Sequence, residues 1–140
     1  MDVAFRITVL DPPRGVVFRL QRGRSELVPP SKESANALTF DFTLRAAPGP
    51  DGQLRLLGPF AQGPPGKRFV YVNSGKHAGQ AESCWDRRAK VPLAGVDASL
   101  VEQAAASGAV IEARINGTGR DGGPACATVP LASGWRVVPS

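Results

Sequence analysis

The sequence predicts a mainly β protein, a single antiparallel barrel-like or sandwich domain of about eight short strands with one α-helix. In most apolar runs, apolar and polar residues alternate with a period of two, as in a strand with one buried and one solvated face. Turn residues separate these runs at short intervals. The pattern alone does not separate a sandwich from a barrel. We favour a barrel-like sheet because such short strands would need more protection at sandwich edges than we identify.

The alternation is clearest in "LTFDFTLR", residues 38–45, where Leu, Phe, Phe and Leu fall on one face and Thr, Asp, Thr and Arg on the other. The run at 86–93 is interrupted by Pro92 and is therefore predicted to be an edge strand. The predicted strands in chain order are 3–9, 16–22, 38–45, 53–57, 68–74, 86–93, 109–117, 124–131 and 134–138.

Turn and cap residues support this assignment. Asp51-Gly52 predicts a hairpin between two strand runs, and the loop at 116–123 contains Asn-Gly and Asp-Gly pairs that favour positive φ. One helix is predicted near 97–107, with Asp97 as its N-cap and Gly108 at its end. We expect this helix to lie on the sheet or to close one end of it.

Composition narrows the class of protein. The chain has 140 residues, which fits one domain over 1–140, and its formal net charge of +5 is only a weak indication of anionic partners. Neither a signal peptide nor a membrane span is recognisable, so we predict a cytoplasmic protein with no membrane partner. The widely spaced Cys84 and Cys126 are expected to be reduced, and a single histidine excludes a His-rich zinc site. We predict no cofactor and no metal.

The segment "GPFAQGPPGKRFVYV", residues 58–72, is dense in glycine and proline and ends in two cations before an aromatic strand. With "WDRRAKVPLAGVD", residues 85–97, it resembles a bacterial family of uncharacterised proteins, the domain-of-unknown-function family numbered 5990. The resemblance covers nearly the full length and implies no activity, because the family has none assigned. The stretch "HAGQAESCW", residues 77–85, departs from the pattern of its members.

The same segment contains most of the candidate ligand-binding residues. Lys67 and Arg68 follow a "GPPG" turn, so they either hold a carboxylate or phosphate or are ordinary solvated residues beside a structural turn. No Walker motif is present. Phe60 and Tyr71 are expected to line a pocket, although the Tyr71 hydroxyl has the alternative of a buried partner.

Arg87 either clamps an anionic ligand from within a cavity or forms a structural ion pair. In the second case, Asp41, Glu112 or Asp86 is its partner.

Three hypotheses for function follow. The first is a small-molecule-binding domain, possibly for an anionic ligand, with Phe60, Lys67, Arg68, Tyr71 and Arg87 at its pocket. The second is a homodimer or larger homo-oligomer that acts as an interaction module without a ligand. The third is an enzyme that uses the loop around His77, which is a weak catalytic candidate because its spacing matches no known triad. No nucleic-acid partner is expected, since aromatic residues fall mainly on the apolar strand faces.

Overall fold

The computed structural model of the protein describes residues 1–12, 16–23, 26–60, 68–75, 88–117 and 134–140. Within these ranges the chain forms ten strands and one helix. In chain order they are β1 Asp2–Leu10, β2 Val17–Arg22, β3 Glu26–Val28, β4 Lys32–Glu33, β5 Ala37–Pro48, β6 Leu54–Gly58, β7 Phe69–Gly75, β8 Arg88–Pro92, α1 Ala98–Ser107, β9 Val110–Asn116 and β10 Arg136–Val138.

The larger sheet has six strands in the order β10-β9-β1-β5-β4, with β6 also paired to β5. The twelve residues of β5 pair with β1 along one side and hold β4 and β6 one after the other along the opposite side. The β1–β9 pair is parallel, which departs from the predicted antiparallel arrangement. Parallel pairing is possible because the chain reaches β9 through α1 rather than through a tight turn.

The smaller sheet has four antiparallel strands in the order β3-β2-β7-β8. No pairing joins it to the larger sheet among the described strands, and both sheets keep open edges. The mainly β prediction with one helix is therefore confirmed in its sandwich-like form, and the preference for a barrel is wrong. In the described part of the chain β8 is an edge strand that ends at Pro92, as the sequence predicts.

One hydrophobic core joins both sheets and the helix. The larger sheet contributes the alternate residues of β1, β5 and β9, including Phe5 and Phe40, and the smaller sheet contributes Phe18 and Val72. Val101 and Ala104 are the buried residues of α1 in this core. The period of two in the sequence thus places one face of each central strand in a shared interior.

The boundaries of α1 follow the cap residues of the sequence. Asp97 has extended backbone angles, and its side chain accepts a hydrogen bond of 2.9 Å from the Leu100 N–H. Gly108 ends the helix with a φ of +67°, a conformation that glycine adopts without strain. The predicted hairpin is also present, with Gly52 at a φ of +79° and the Gly49 N–H bonded to the Gln53 carbonyl.

Two short strands, β3 and β4, are not predicted by the sequence pattern. Each has three residues or fewer, too short for an alternation to be recognised. The predicted strand at 124–131 lies outside the described residues. No helix of the described ranges has an apolar stretch long enough to cross a lipid bilayer.

Replacement of Phe40 by alanine is expected to destabilise the fold by about 3–5 kcal/mol, because the ring is almost fully buried and its loss leaves a cavity. Thr43→Ala on the exposed face of the same strand is the control and is expected to change stability by less than about 1 kcal/mol. Urea unfolding of both variants measures the difference. Equal destabilisation by the two changes would contradict the assignment of the buried face.

Candidate functional site

A cleft of about 460 Å³ lies between the edge strand β6 and the segment that leads into α1. Its lining is mostly apolar, with two arginines and one glutamine. The described lining residues are Gln53, Leu54, Arg55, Leu56, Phe60, Arg68, Leu93, Ala94, Val96, Ala98 and Val101. The cleft therefore has the form of many small-molecule sites, a concave apolar surface with a few polar groups.

Arg68 is held in this cleft by three contacts. Its Nη1 donates a hydrogen bond of 2.7 Å to the Leu56 carbonyl oxygen, and its guanidinium carbon lies 4.7 Å from the centre of the Phe60 ring. Its own carbonyl oxygen accepts a 3.0 Å hydrogen bond from the Leu93 N–H. Both the backbone and the side chain of Arg68 are thus fixed by residues that line the cleft.

The remaining donors of Arg68 have no hydrogen-bond partner in the described part of the chain. Nη1 donates to the Leu56 carbonyl, whereas Nε and Nη2 donate to no other group of the described residues. A guanidinium offers five N–H groups in a planar fork and matches a carboxylate or phosphate well. Arg68 is therefore a positioned cation with donors still available to a ligand.

Phe60 is half-buried and packs against the hydrophobic core. It lies close to Gly58, whose φ of +108° is a conformation that other residues rarely adopt. A Cβ at position 58 would approach the Phe60 ring to 3.3 Å. Glycine at this position therefore allows the ring to pack closely on the end of β6, where it forms one wall of the cleft.

Arg55 is the second cation of the lining, and it is exposed. Its Nη2 lies 3.1 Å from Asp51 Oδ2, and Asp51 Oδ1 accepts a 3.1 Å hydrogen bond from the Gln53 N–H. The Gln53 N–H and then the Arg55 guanidinium lower the pKa of Asp51 below the usual value of an aspartate. Arg55 is thus partly neutralised by the hairpin turn, whereas Arg68 has no carboxylate partner in the described residues.

The structure brings together two of the five predicted ligand-binding residues, Phe60 and Arg68. Tyr71 does not line the cleft among the described residues. Because Val70 and Val72 face the core, alternation places Tyr71 on the opposite face of the smaller sheet. There Tyr71 is buried and its ring stacks on Phe69 with 6.4 Å between ring centres.

Lys67, Arg87 and the catalytic candidate His77 lie outside the described residues, as do Cys84 and Cys126. Two of the three carboxylates proposed as partners of Arg87 pair with other arginines: Asp41 lies 2.7 Å from Arg6, and Glu112 lies 3.0 Å from Arg114. The third, Asp86, lies outside the described residues.

Glu112 is the centre of a polar cluster on the outer face of the larger sheet. Its side chain is only 8% exposed, and its Oε1 lies 3.0 Å from Arg114 Nε and 3.7 Å from Arg136 Nη2. Its Oε2 accepts a 3.2 Å hydrogen bond from the Thr8 hydroxyl. A buried carboxylate with these partners is satisfied, so we interpret the cluster as structural.

A second cleft of about 400 Å³ lies between the residues around β2 and the turn before β5. Its lining includes both Arg19 and Glu33, and the Arg19 Nη1 donates a 2.8 Å hydrogen bond to the Phe18 carbonyl. Opposite charges leave this lining without a net attraction for one type of ion. The first cleft is therefore the better candidate for a ligand site.

The opposite wall of the cleft was not predicted from the sequence; its lining residues are Leu93, Ala94 and Val96 with Ala98 and Val101 of α1. Asp97, at the edge of this wall, carried a recognisable signal as the N-cap of the helix. That signal predicts the start of the helix but not its approach to β6, which depends on contacts between residues far apart in the chain.

The chain belongs to a family of unknown function, DUF5990, whose model matches residues 3–138. No match was found among the curated proteins or among the solved structures with which the chain was compared. Membership therefore agrees with the resemblance of the glycine- and proline-rich segment and assigns no chemistry to the cleft.

The Asp51 carboxyl is expected to titrate below the usual aspartate pKa in the folded protein, which carboxyl-detected NMR measures directly. Because the pKa is lower in the folded than in the unfolded chain, the ionised group stabilises the fold above the unfolded value. This contribution disappears as the pH falls through the folded value. In Arg55→Gln, the pKa of Asp51 should rise but stay below the usual value, since the Gln53 N–H remains. A pKa at or above that value in the unaltered protein would contradict this.

Proposed function

We propose that this member of DUF5990 binds a small anionic molecule with an apolar body in the cleft beside β6. The observation that carries this proposal is the position of Arg68, a cation fixed by Leu56 and Phe60 in an apolar wall with donors left over. A charge-assisted hydrogen bond in such surroundings is stronger than the same bond in water.

The shape of the cleft supports a ligand of moderate size. Its volume of about 460 Å³ lies within the range of about 300–1,000 Å³ found for small-molecule sites. The body of the ligand would be buried against five apolar residues of the lining, Leu54, Leu56, Phe60, Leu93 and Val96. These contacts supply affinity, while Arg68 orients the charged group.

The charge of the lining favours an anion over a cation. Arg55 and Arg68 are its charged residues within the described part of the chain, and no carboxylate occurs among the described lining residues. Asp51 compensates Arg55 from outside the lining. Lys67 and Arg87 stay sequence-based predictions for cations at the same rim.

Calorimetric titration with 4-phenylbutyrate and with octanoate tests the proposal. Both acids are expected to bind, and the neutral 4-phenylbutyramide is expected to bind about tenfold more weakly or worse, because it lacks the carboxylate that Arg68 recognises. Arg68→Gln should weaken binding of the acids by a similar factor. Arg45→Gln, which removes an equal charge from an exposed position on β5, is the matched control and should leave affinity unchanged.

Two results would count against the proposal. One is the absence of binding by either acid at millimolar concentration in a protein whose fold is confirmed by its circular dichroism. The other is equal loss of affinity in Arg68→Gln and Arg45→Gln, which would show a general charge effect rather than a site.

A further inference from the structure

The cleft follows the free edge of a β-strand. Four consecutive residues, Gln53 to Leu56, line it, and three of them belong to β6. On its other side β6 pairs with β5, and no second strand pairs with it among the described residues. An open strand edge presents unpaired backbone groups to whatever occupies the adjoining space.

The direction of these backbone groups can be read from the β5–β6 ladder. The Gly49 N–H donates to the Gln53 carbonyl, so residue 53 directs its backbone toward β5. In an antiparallel pair the direction alternates along the strand, so Leu54 and Leu56 direct theirs away from β5. The hydrogen bond from Arg68 Nη1 to the Leu56 carbonyl agrees with this, because that carbonyl must face the cleft.

Three of the four backbone groups that Leu54 and Leu56 direct away from β5 remain available to a ligand. Arg68 occupies the Leu56 carbonyl, whereas the N–H and C=O of Leu54 and the N–H of Leu56 have no hydrogen-bond partner within the described residues. Donor and acceptor therefore alternate along the edge at the spacing of a strand, and a cation stands at one end of the row. A ligand with one charge and an apolar body would bind to Arg68 but would leave these backbone groups of Leu54 and Leu56 without a partner.

We propose that the ligand is the C-terminal end of an extended peptide, which adds to β6 as a parallel strand with its free carboxylate on Arg68. This inference rests on the proposed function and narrows the anionic molecule to one class. Strand addition supplies affinity through backbone hydrogen bonds, and capture of a terminal carboxylate is a known way to fix the register of a bound peptide.

The register of the peptide on β6 follows from the backbone groups of Leu54 and Leu56 that point away from β5. In a parallel ladder one residue donates to a carbonyl and accepts from an N–H two residues further along the neighbouring strand. The penultimate peptide residue thus donates its N–H to the Leu54 carbonyl and accepts from the Leu56 N–H. One residue further along, a peptide N–H would have to reach the Leu56 carbonyl, but Arg68 Nη1 already donates to that carbonyl. The peptide therefore ends at this point, with its carboxylate against the remaining N–H donors of Arg68.

The same register fixes the direction of the chain and the side chains. The carboxylate must lie at the Leu56 end, beside Arg68, so the peptide runs in the same direction as β6. The terminal residue is level with Leu56, and the residue two before it is level with Leu54. Both side chains then face the apolar side of the cleft, whereas the penultimate side chain points to the face of Arg55. An apolar–polar–apolar ending is therefore preferred.

The test uses acetyl-Leu-Ser-Leu with a free carboxylate as the probe, titrated calorimetrically into the full chain. Its C-terminal amide is expected to bind about tenfold more weakly or worse, because the contact with Arg68 is lost. N-methylation of the serine removes the donor to the Leu54 carbonyl and should cost about tenfold or more. N-methylation of the first leucine, whose N–H points away from β6, is the matched control and should change affinity by less than about threefold.

Amide hydrogen exchange gives an independent readout. Exchange of the Leu54 and Leu56 amides should slow on addition of the peptide and stay unchanged on addition of octanoate, which has no backbone groups. Equal effects of the two N-methylations, or equal binding of acid and amide, would overturn strand addition. A dimer in size-exclusion chromatography with light scattering, in which these amides are already protected, would overturn it too.

The outcomes also separate this inference from the proposed function. If octanoate and 4-phenylbutyrate bind with a dependence on Arg68 while the peptide does not, the anion site stands and the peptide assignment is wrong. If neither the acids nor the peptide bind, both proposals fail.

Discussion

The pairing of β1 with β5 is the constraint on which the rest of the molecule depends. Nine consecutive residue pairs, from Asp2 with Arg45 to Leu10 with Ala37, hold the two strands in one register. That register places Phe5 opposite Phe42, with 5.6 Å between ring centres, on the face that the smaller sheet and α1 cover. A slip by one residue would turn these rings toward solvent, so the register and the core determine each other.

At the cleft, the described strands of the two sheets are linked by a side-chain hydrogen bond and not by backbone pairing. Arg68 leads into β7 of the smaller sheet, yet its guanidinium is bonded to Leu56 on β6 of the larger one. The backbone of Arg68 also holds Leu93, which leads toward α1. Arg68 thus links β7 to β6 and to the segment before α1, and the cleft lies between these elements.

The features that could be predicted from the sequence are those that depend on residues close together in the chain. The alternation of β5 and the side chain of Asp97, which caps α1, depend on neighbours a few residues away, so both were predicted correctly. The parallel β1–β9 pair depends on residues more than a hundred positions apart, for which one sequence gives no signal. Phe60 and Arg68 could be predicted, as two of five ligand-binding residues, because both belong to the same glycine- and proline-rich segment. Leu93 and Val101 were missed because only tertiary packing brings them to the same cleft.

In the cluster around Glu112, on the outer face of the larger sheet, the positions are expected to differ in how well they tolerate substitution. If either Arg114 or Arg136 is lost, the carboxylate keeps the other arginine and the Thr8 hydroxyl. If Glu112 itself is lost, two guanidinium groups on adjacent strands repel each other with no anion between them. Either arginine can therefore be replaced without leaving the acid unpaired, whereas no second acid contacts both arginines among the described residues. Substitution is thus expected to be tolerated at the arginine positions and resisted at Glu112.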